Sequence, residues 1–243
     1  MMKLQNELTI AKEAVRQASV LCASVQSSLD LVVQLDKADK SPVTVADYGA
    51  QSLVLNILAK AFPEDPAVGE EDTGALRDPE SAPLLSSIIE EVQKVDPSLD
   101  RNGILDSIDR GGHPGGASGR FWTLDPIDGT KGFLRGDQYA VALALIIDGE
   151  VVLGVLGCPN LTVDSDLSNP QVGTILYAVK GQGAYRAPLS DLSRAFKITC
   201  DQISDPALAV FCESVESGRT AHGWSAKITE LLGSKSKPFR MDS

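Results

Sequence analysis

The sequence predicts an α+β fold in which helices pack as a layer against an antiparallel sheet. Before residue 100, apolar side chains recur every three or four positions, as in helices with one buried face. From Tyr139 onward they alternate and are interrupted by glycine-containing turns, which is typical of hairpins. Helices followed by antiparallel strands predict a layered α+β domain. The 243 residues, 43% of them hydrophobic, suffice for one large domain and part of a second.

Three helices are predicted in the first part of the chain. The second helix covers Tyr48 to Phe62 and stops at Pro63, and the third covers Leu84 to Val95. The first helix is predicted from an apolar stripe that consists of Leu4, Leu8, Ala11, Val15, Ala18, Cys22, Val25 and Leu29. Each of these stripes indicates a face that packs against the core.

Two hairpins are predicted in the second part of the chain. Residues 139–147 and 150–157 flank Asp148-Gly149, a dipeptide favoured in two-residue hairpin turns. Residues 174–179 and 184–186 flank a second turn that contains two glycines. The polar stretch 164–173 between the hairpins predicts a loop. Beyond them, residues 208–212 predict a short strand and residues 222–232 a short helix.

Residues 110–119, with five glycines and one proline, have no helical or strand period. Such a segment is either an insertion without fixed structure or a lid near a functional site, and an insertion is the favoured interpretation.

The charge and cysteine content exclude several classes of partner and cofactor. The 22 basic and 33 acidic residues give a net charge of -11, which argues against a nucleic-acid polymer or an anionic membrane. The four cysteines include no C-x-x-C pair, so neither zinc nor a disulfide framework is expected. We find no signal peptide, transit peptide or run of transmembrane length, and we therefore expect a cytoplasmic protein. The sequence carries no signal for the oligomeric state.

Acidic residues in three segments are the candidate metal ligands and catalytic groups. Asp125-Pro126-Ile127-Asp128-Gly129-Thr130 follows a strand-like run and is expected to form a tight turn, stiffened by its proline. Asp47 lies in P-V-T-V-A-D-Y, and Gly69-Glu70-Glu71-Asp72 follows Ala67-Val68. Hard oxygen ligands of this kind suit Mg²⁺. Each segment alone would be read as a solvated acidic loop, but three of them together suit a multi-metal phosphatase.

These motifs resemble those of the inositol-monophosphatase-like superfamily of Mg²⁺-dependent, Li⁺-sensitive phosphatases. Residues 129–143, G-T-K-G-F-L-R-G-D-Q-Y-A-V-A-L, are similar to the 3'(2'),5'-bisphosphate nucleotidases of plants and fungi. The resemblance implies the layered sugar-phosphatase fold. Residues 1–195 would form a complete N-terminal metal-binding α+β domain, and residues 196–243 would begin a second α/β lobe that is mostly missing. The family's tryptophan–aspartate motif is absent from the 243 residues, so we expect a C-terminally truncated chain with impaired catalysis.

The resemblance also implies metal ligands and two or three Mg²⁺ ions. Glu70, Asp125 and the Ile127 carbonyl would hold a first ion, and Asp125 would share a second ion with Asp128. Glu71 is a further candidate, for a third ion.

The remaining implied roles concern water and substrate. Asp47 and the Thr130 hydroxyl would orient and deprotonate the attacking water, and the Gly129 and Thr130 amides would bind phosphate. Lys131 and Arg135 are candidates for a second phosphate, although both could be solvated surface cations. His222 is a candidate nucleotide contact, although a histidine there could simply begin a helix.

The implied activity is removal of the 3'-phosphate of adenosine 3',5'-bisphosphate to give AMP and phosphate, with 3'-phosphoadenylyl sulfate as a second substrate. Two alternatives stay open. One is an inositol polyphosphate 1-phosphatase, or an enzyme with both activities. The other is a truncated chain that binds metal or nucleotide without turnover.

Overall fold

The computed structural model describes residues 4–28, 35–36, 42–43, 45–163, 171–215 and 222–241. The helices are α1 Gln5–Gln26, α2 Val45–Ala61, α3 Ala82–Val95, α4 Arg101–Asp109, α5 Thr130–Arg135 and α6 His222–Leu231. The strands are β1 Leu35–Asp36, β2 Pro42–Val43, β3 Ala67–Val68, β4 Arg120–Asp128, β5 Ala140–Ile147, β6 Glu150–Thr162, β7 Val172–Val179, β8 Gly183–Pro188, β9 Phe196–Ile198, β10 Cys212–Ser214 and β11 Phe239–Met241.

The described residues form one large sheet with the strand order β3-β4-β5-β6-β7-β8-β9. Within it β3 pairs with β4 in parallel, and the other described neighbours are antiparallel. Both predicted hairpins are confirmed, as β5–β6 and β7–β8. At the turn between β5 and β6, Asp148 has φ 50° and Gly149 has φ 77°, the left-handed geometry that a two-residue hairpin turn requires.

The α1 and α2 helices and one face of the sheet share a hydrophobic core. On β5 the side chains of Val141, Leu143 and Leu145 alternate with less buried neighbours and join this core. The α1 helix approaches β6 closely, since a Cβ atom placed on Gly157 would lie 2.2 Å from Ser19 Oγ. The three predicted helices and the layered α+β arrangement are therefore confirmed.

One helix lies outside the sequence-based prediction. The α4 helix begins at the N-cap residue Asp100, whose carboxylate accepts a hydrogen bond of 2.8 Å from the Gly103 amide. Ile104, Leu105 and Ile108 are its buried face. Only nine residues long, α4 is stabilised by its packing against α2.

The glycine-rich segment 110–119 is an integral connection between α4 and β4, so the favoured interpretation as an unstructured insertion was wrong. Gly112 bridges to Val68 of β3, and the Gly119 amide donates to Asp148 Oδ1 at 2.9 Å. The segment ends at the start of β4, whereas the acidic motif lies at the other end of that strand. At its beginning, the Gly111 carbonyl accepts a hydrogen bond of 2.8 Å from the Gly69 amide, next to the acidic loop.

The predicted strand at residues 208–212 was also wrong except at its last residue. Asp205 and Pro206 start a 3-10 turn, Pro206–Leu208, because the Asp205 carboxylate accepts from the Ala207 amide at 3.0 Å. The strand begins at Cys212 and pairs in parallel with β11. The predicted helix at 222–232 is confirmed as α6, whereas most of the predicted loop 164–173 falls outside the described residues.

The chain divides into two compact units, Met1–Ile198 and Thr199–Ser243. The predicted boundary lay before Phe196, whereas β9, Phe196–Ile198, pairs with β8 in the large sheet. Within the described parts of the chain, no helix is both long and apolar enough to span a bilayer.

Candidate active site

The sheet topology brings two of the acidic segments to one edge. Because β3 and β4 run in parallel, with Val68 opposite Thr123, the chain leaving β3 continues alongside the end of β4. Glu70, two residues beyond β3, lies close enough to Asp125 for its charge to raise the pKa of that carboxyl. Glu70 is exposed, whereas Glu71 is only 5% exposed, so the two neighbouring carboxylates have different surroundings.

The D-P-I-D segment is part of a strand and not a free turn, which corrects the sequence-based expectation. The β4 strand extends to Asp128, and its register with β5 shifts between Asp125 and Asp128. In a regular strand, residues three apart point to opposite faces, and this irregularity allows both aspartates to reach one site. The Ile127 amide donates to Asp125 Oδ1 at 3.1 Å, and Gly129, with φ 93°, then turns the chain into α5.

Burial and neighbouring carboxylates together raise the pKa of Asp125 to about 6, with burial as the larger cause. The contributing carboxylates, in order of effect, are Glu70, Asp128 and Glu71. The hydrogen bond from the Ile127 amide acts in the opposite direction. A site with several carboxylates around a half-buried one has a local negative potential, and a divalent cation would offset it.

The carboxylates are coupled but do not form a closed cage. Among the described residues, no group of three acidic, histidine or cysteine side chains has the arrangement that would hold a metal ion by itself. Mg²⁺ is suited to such an open set, because it retains several waters and takes one or two carboxylates together with substrate phosphate oxygens. The residues present therefore fit a hydrated Mg²⁺ ion.

The third acidic segment contributes Asp47, which lies in the first turn of α2 and is only 3% exposed. Its charge contributes to a raised pKa of the neighbouring Cys22 thiol, for which burial is the larger cause. The next residue, Tyr48, has a raised pKa, mainly because it is buried and also because Glu71, Asp72 and Asp47 lie nearby. The Tyr48 hydroxyl therefore lies close to the Glu71 carboxylate. The start of α2 is thus in direct contact with the acidic loop.

Gln51 is a component of this site that the sequence-based prediction missed. Its side-chain amide hydrogen-bonds to the backbone of Glu71, and the side chain is fully buried. A glutamine one helical turn after Asp47, on the same face of α2, was the only available signal.

A second set of contacts fixes the chain after the acidic loop. Asp109, the last residue of α4, accepts hydrogen bonds from the Thr73 hydroxyl at 2.7 Å and from the Thr73 amide at 3.2 Å. Arg77 donates to the same carboxylate at 2.7 Å. The unpredicted helix therefore anchors the loop from its far side.

A short helix, α5, begins directly after Gly129, with Thr130 as its first residue. The Thr130 hydroxyl donates to the Ile127 carbonyl at 3.2 Å. Thr130, which the resemblance assigns to the attacking water, thus contacts the Ile127 carbonyl, which it assigns to the first metal ion. Lys131 is exposed in the same turn.

The two remaining substrate candidates have less support. Arg135 is exposed and pairs with Asp137 at 3.1 Å, which favours its interpretation as a surface cation. His222 is the first residue of α6, in the second compact unit, and its side chain lies outside the described part of the chain. Its proposed contact with a nucleotide stays a prediction.

Comparisons with known proteins agree on one family. A model of the inositol monophosphatase family matches residues 3–237. A 3'(2'),5'-bisphosphate nucleotidase 1 of Arabidopsis thaliana is 42% identical over 100% of this chain and 73% of its own length. A 3'(2'),5'-bisphosphate nucleotidase of Oryza sativa is 46% identical over 98% of this chain and 70% of its own length.

Solved structures show the same fold at low sequence identity. The suhB protein of Bartonella henselae matches with a TM-score of 0.61 and 16% identity, over 98% of this chain and 71% of its own. The inositol monophosphatase of Anabaena (Nostoc) sp. PCC 7120 matches with a TM-score of 0.59 and 18% identity, over 100% of this chain and 69% of its own.

Proposed function

The chain belongs to the inositol monophosphatase family, and from this premise we propose that it removes the 3'-phosphate of adenosine 3',5'-bisphosphate in a metal-dependent reaction. The products are AMP and inorganic phosphate, and 3'-phosphoadenylyl sulfate is a second substrate. The observation that carries the proposal is the half-buried Asp125 carboxyl beside Glu70, Asp128 and Glu71. Relatives at 42% and 46% identity that are named for this class of nucleotide support the choice of substrate.

The family's metal ligands carry over to residues of one edge of the sheet. Glu70, Asp125 and the Ile127 carbonyl would hold one Mg²⁺, and Asp125 together with Asp128 would hold a second. Glu71 is the candidate for a third ion, and its buried position and contact with Tyr48 limit how far it can move. When bound, such ions lower the pKa of a coordinated water and stabilise the charge that develops on phosphate oxygens.

Asp47 and Thr130 would handle the proton of the attacking water. The Thr130 hydroxyl donates its proton to the Ile127 carbonyl. Its oxygen lone pairs therefore remain able to accept a hydrogen bond from water. Asp47 is an acceptor in the first turn of α2, and as a carboxylate it can take up the proton that the water loses.

Substrate binding requires a local reversal of the protein's negative charge. The net charge of -11 repels a bisphosphate at long range, so bound cations must attract the phosphate that is transferred. The Gly129 and Thr130 amides would add hydrogen bonds to that phosphate. Lys131, exposed one residue further along, is the candidate for the second phosphate that lies nearer to these amides in the sequence.

The proposal is tested by phosphate release from adenosine 3',5'-bisphosphate and from inositol 1,4-bisphosphate, each with Mg²⁺ and with excess chelator. We expect Mg²⁺-dependent turnover of the nucleotide, and loss of that turnover in Asp47→Asn. Faster turnover of the inositol phosphate would instead identify an inositol polyphosphate phosphatase. Mg²⁺ or nucleotide binding without turnover of either substrate would identify a non-catalytic binder.

A further inference from the structure

The Gln51 side chain forms a three-way junction in the interior. Its Nε2 group donates to the Glu71 carbonyl at 2.7 Å and to the Ile108 carbonyl at 3.1 Å. Its Oε1 atom accepts from the Glu71 amide at 3.0 Å. The amide therefore pairs both backbone groups of Glu71 and also reaches the end of α4. At 0% exposure, it is protected from competition by water.

Two glycines make room for this amide. A Cβ atom on Gly69 would lie 2.6 Å from Gln51 Oε1, and one on Gly111 would lie 2.9 Å from Gln51 Nε2. Neither glycine has a positive φ, so backbone conformation does not require glycine at these two positions. The space that the Gln51 amide occupies does require it. The Gly69 amide also donates to the Gly111 carbonyl at 2.8 Å, which closes the junction.

The position of Gln51 links two parts of the site. It follows Asp47 by four residues, so both side chains lie on the same face of α2, one helical turn apart. Tyr48, between them, lies close enough to the Glu71 carboxylate for that charge to contribute to its raised pKa. The α2 helix thus holds the Glu71 backbone through Gln51 and places Tyr48 close to the Glu71 carboxylate.

We propose that Gln51 is a positioning residue of the phosphatase site, which sets the metal-binding loop Gly69–Glu71 relative to Asp47. The inference rests on the proposed function, because it assigns Glu70 to the metal and Asp47 to the water. The hydrogen bonds of the Gln51 side chain go to the backbone of Glu71 and Ile108, and none of them goes to the Glu70 or Asp47 carboxylate. Gln51 acts through the Glu71 backbone, next to Glu70, and a displaced loop would carry Glu70 away from Asp125.

The competing explanation is that Gln51 merely stabilises the fold as a satisfied buried amide. Both explanations predict a lower melting temperature when the amide is lost, since two backbone groups of Glu71 remain unsatisfied. Only the positioning role predicts weaker Mg²⁺ binding in protein that is still folded.

The main test variant is Gln51→Met, which keeps side-chain length and removes the hydrogen bonds. Gly69→Ala is a second variant. It keeps the glutamine at position 51 but pushes its side-chain amide away, because the added Cβ atom would lie 2.6 Å from Gln51 Oε1. Asn56→Leu is the matched control, because Asn56 is a buried amide of the same helix that contacts Asp96 and not the acidic loop. Each variant is measured well below its own melting temperature, by calorimetric titration with Mg²⁺, steady-state kinetics and hydrogen exchange of the Glu71 amide.

We expect Gln51→Met and Gly69→Ala to bind Mg²⁺ about 10- to 100-fold more weakly, the usual effect of losing support for a metal ligand. The kcat should fall at sub-saturating Mg²⁺ and recover partly when Mg²⁺ is raised, and the Glu71 amide should exchange faster. Asn56→Leu should lower the melting temperature and leave Mg²⁺ affinity unchanged.

Wild-type Mg²⁺ affinity in both folded variants, or an equal loss in Asn56→Leu, would overturn the positioning role. If Gln51→Met does not fold, Gly69→Ala decides the question alone. Failure of the wild-type protein to hydrolyse either substrate would refute the proposed function, whereas the Mg²⁺ titration and the Glu71 exchange would still test the role of Gln51.

Discussion

Replacing Asp125 with asparagine should stabilise the metal-free protein and at the same time abolish its activity. The folded state holds a proton on Asp125 more strongly than the unfolded chain, since the pKa rises from its ordinary value of 3.8 to about 6. Below both values the carboxyl is protonated in both states and has no effect on stability. As the pH rises through this interval, the folded state is increasingly penalised, and above about pH 6 the penalty is complete.

The size of the penalty follows from the shift. Roughly two pKa units correspond to about 3 kcal/mol, and because Asp125 is only half-buried, solvent screening reduces this to on the order of 1 to 2 kcal/mol. Asparagine removes the charge and keeps an oxygen that can accept from the Ile127 amide. We therefore expect Asp125→Asn to be more stable than the wild type by that amount at neutral pH in excess chelator.

Urea unfolding of both proteins in chelator, between about pH 4.5 and pH 7.5, tests this expectation. The difference in unfolding free energy should shrink toward the acidic end of this range, and it should reach zero only below the ordinary pKa of 3.8. Added Mg²⁺ should raise the melting temperature of the wild type and have little effect on the variant. A metal-free variant that is less stable than the wild type at neutral pH would refute the electrostatic reasoning, and near-normal turnover would refute the assignment of Asp125 as a shared metal ligand.

Three further predictions follow from the geometry. Thr130→Ala should lower kcat with little change in Mg²⁺ affinity, because it removes a water-orienting hydroxyl and no proposed metal ligand; steady-state kinetics and calorimetry separate the two effects. Gly157→Ala should destabilise the protein by on the order of 1 to 3 kcal/mol in urea unfolding, because its Cβ would collide with Ser19 and Val15 of α1. Gly154→Ala on the same strand is its control, since no described atom lies within 4 Å of that Cβ. Activity should require Mg²⁺, fall when Ca²⁺ replaces it, and be inhibited by low Li⁺; turnover that is equal with Mg²⁺ and Ca²⁺ would contradict the compact oxygen site.

The sequence was most informative where structure is locally determined. The apolar stripe of α1 and the Asp148-Gly149 turn each specify their element within a few residues, and both elements form as predicted. The three acidic segments were also identifiable from sequence, because each one lies next to such an element.

Features that depend on long-range contacts could not be predicted. The register shift between Asp125 and Asp128 arises from pairing with β5, and no local signal distinguishes it from a turn. Gln51 is unremarkable in its own helix, and its role emerges only where Glu71 and the end of α4 meet. The strand prediction for residues 208–212 was wrong for a local reason. Their apolar character favoured a strand, but the cap that Asp205 provides for Pro206–Leu208 determined the local structure.

The parallel pairing of β3 with β4 has a consequence for the order of folding. Ala67 and Trp122 are about 55 residues apart in sequence, whereas β5 and β6 are joined by a two-residue turn, so loop-closure entropy favours the hairpin as the earlier event. The acidic loop reaches Asp125 only once the distant pairing has formed. Mg²⁺ bound between them would therefore slow unfolding more than it accelerates folding, and the metal would prolong the lifetime of the native state without guiding its formation.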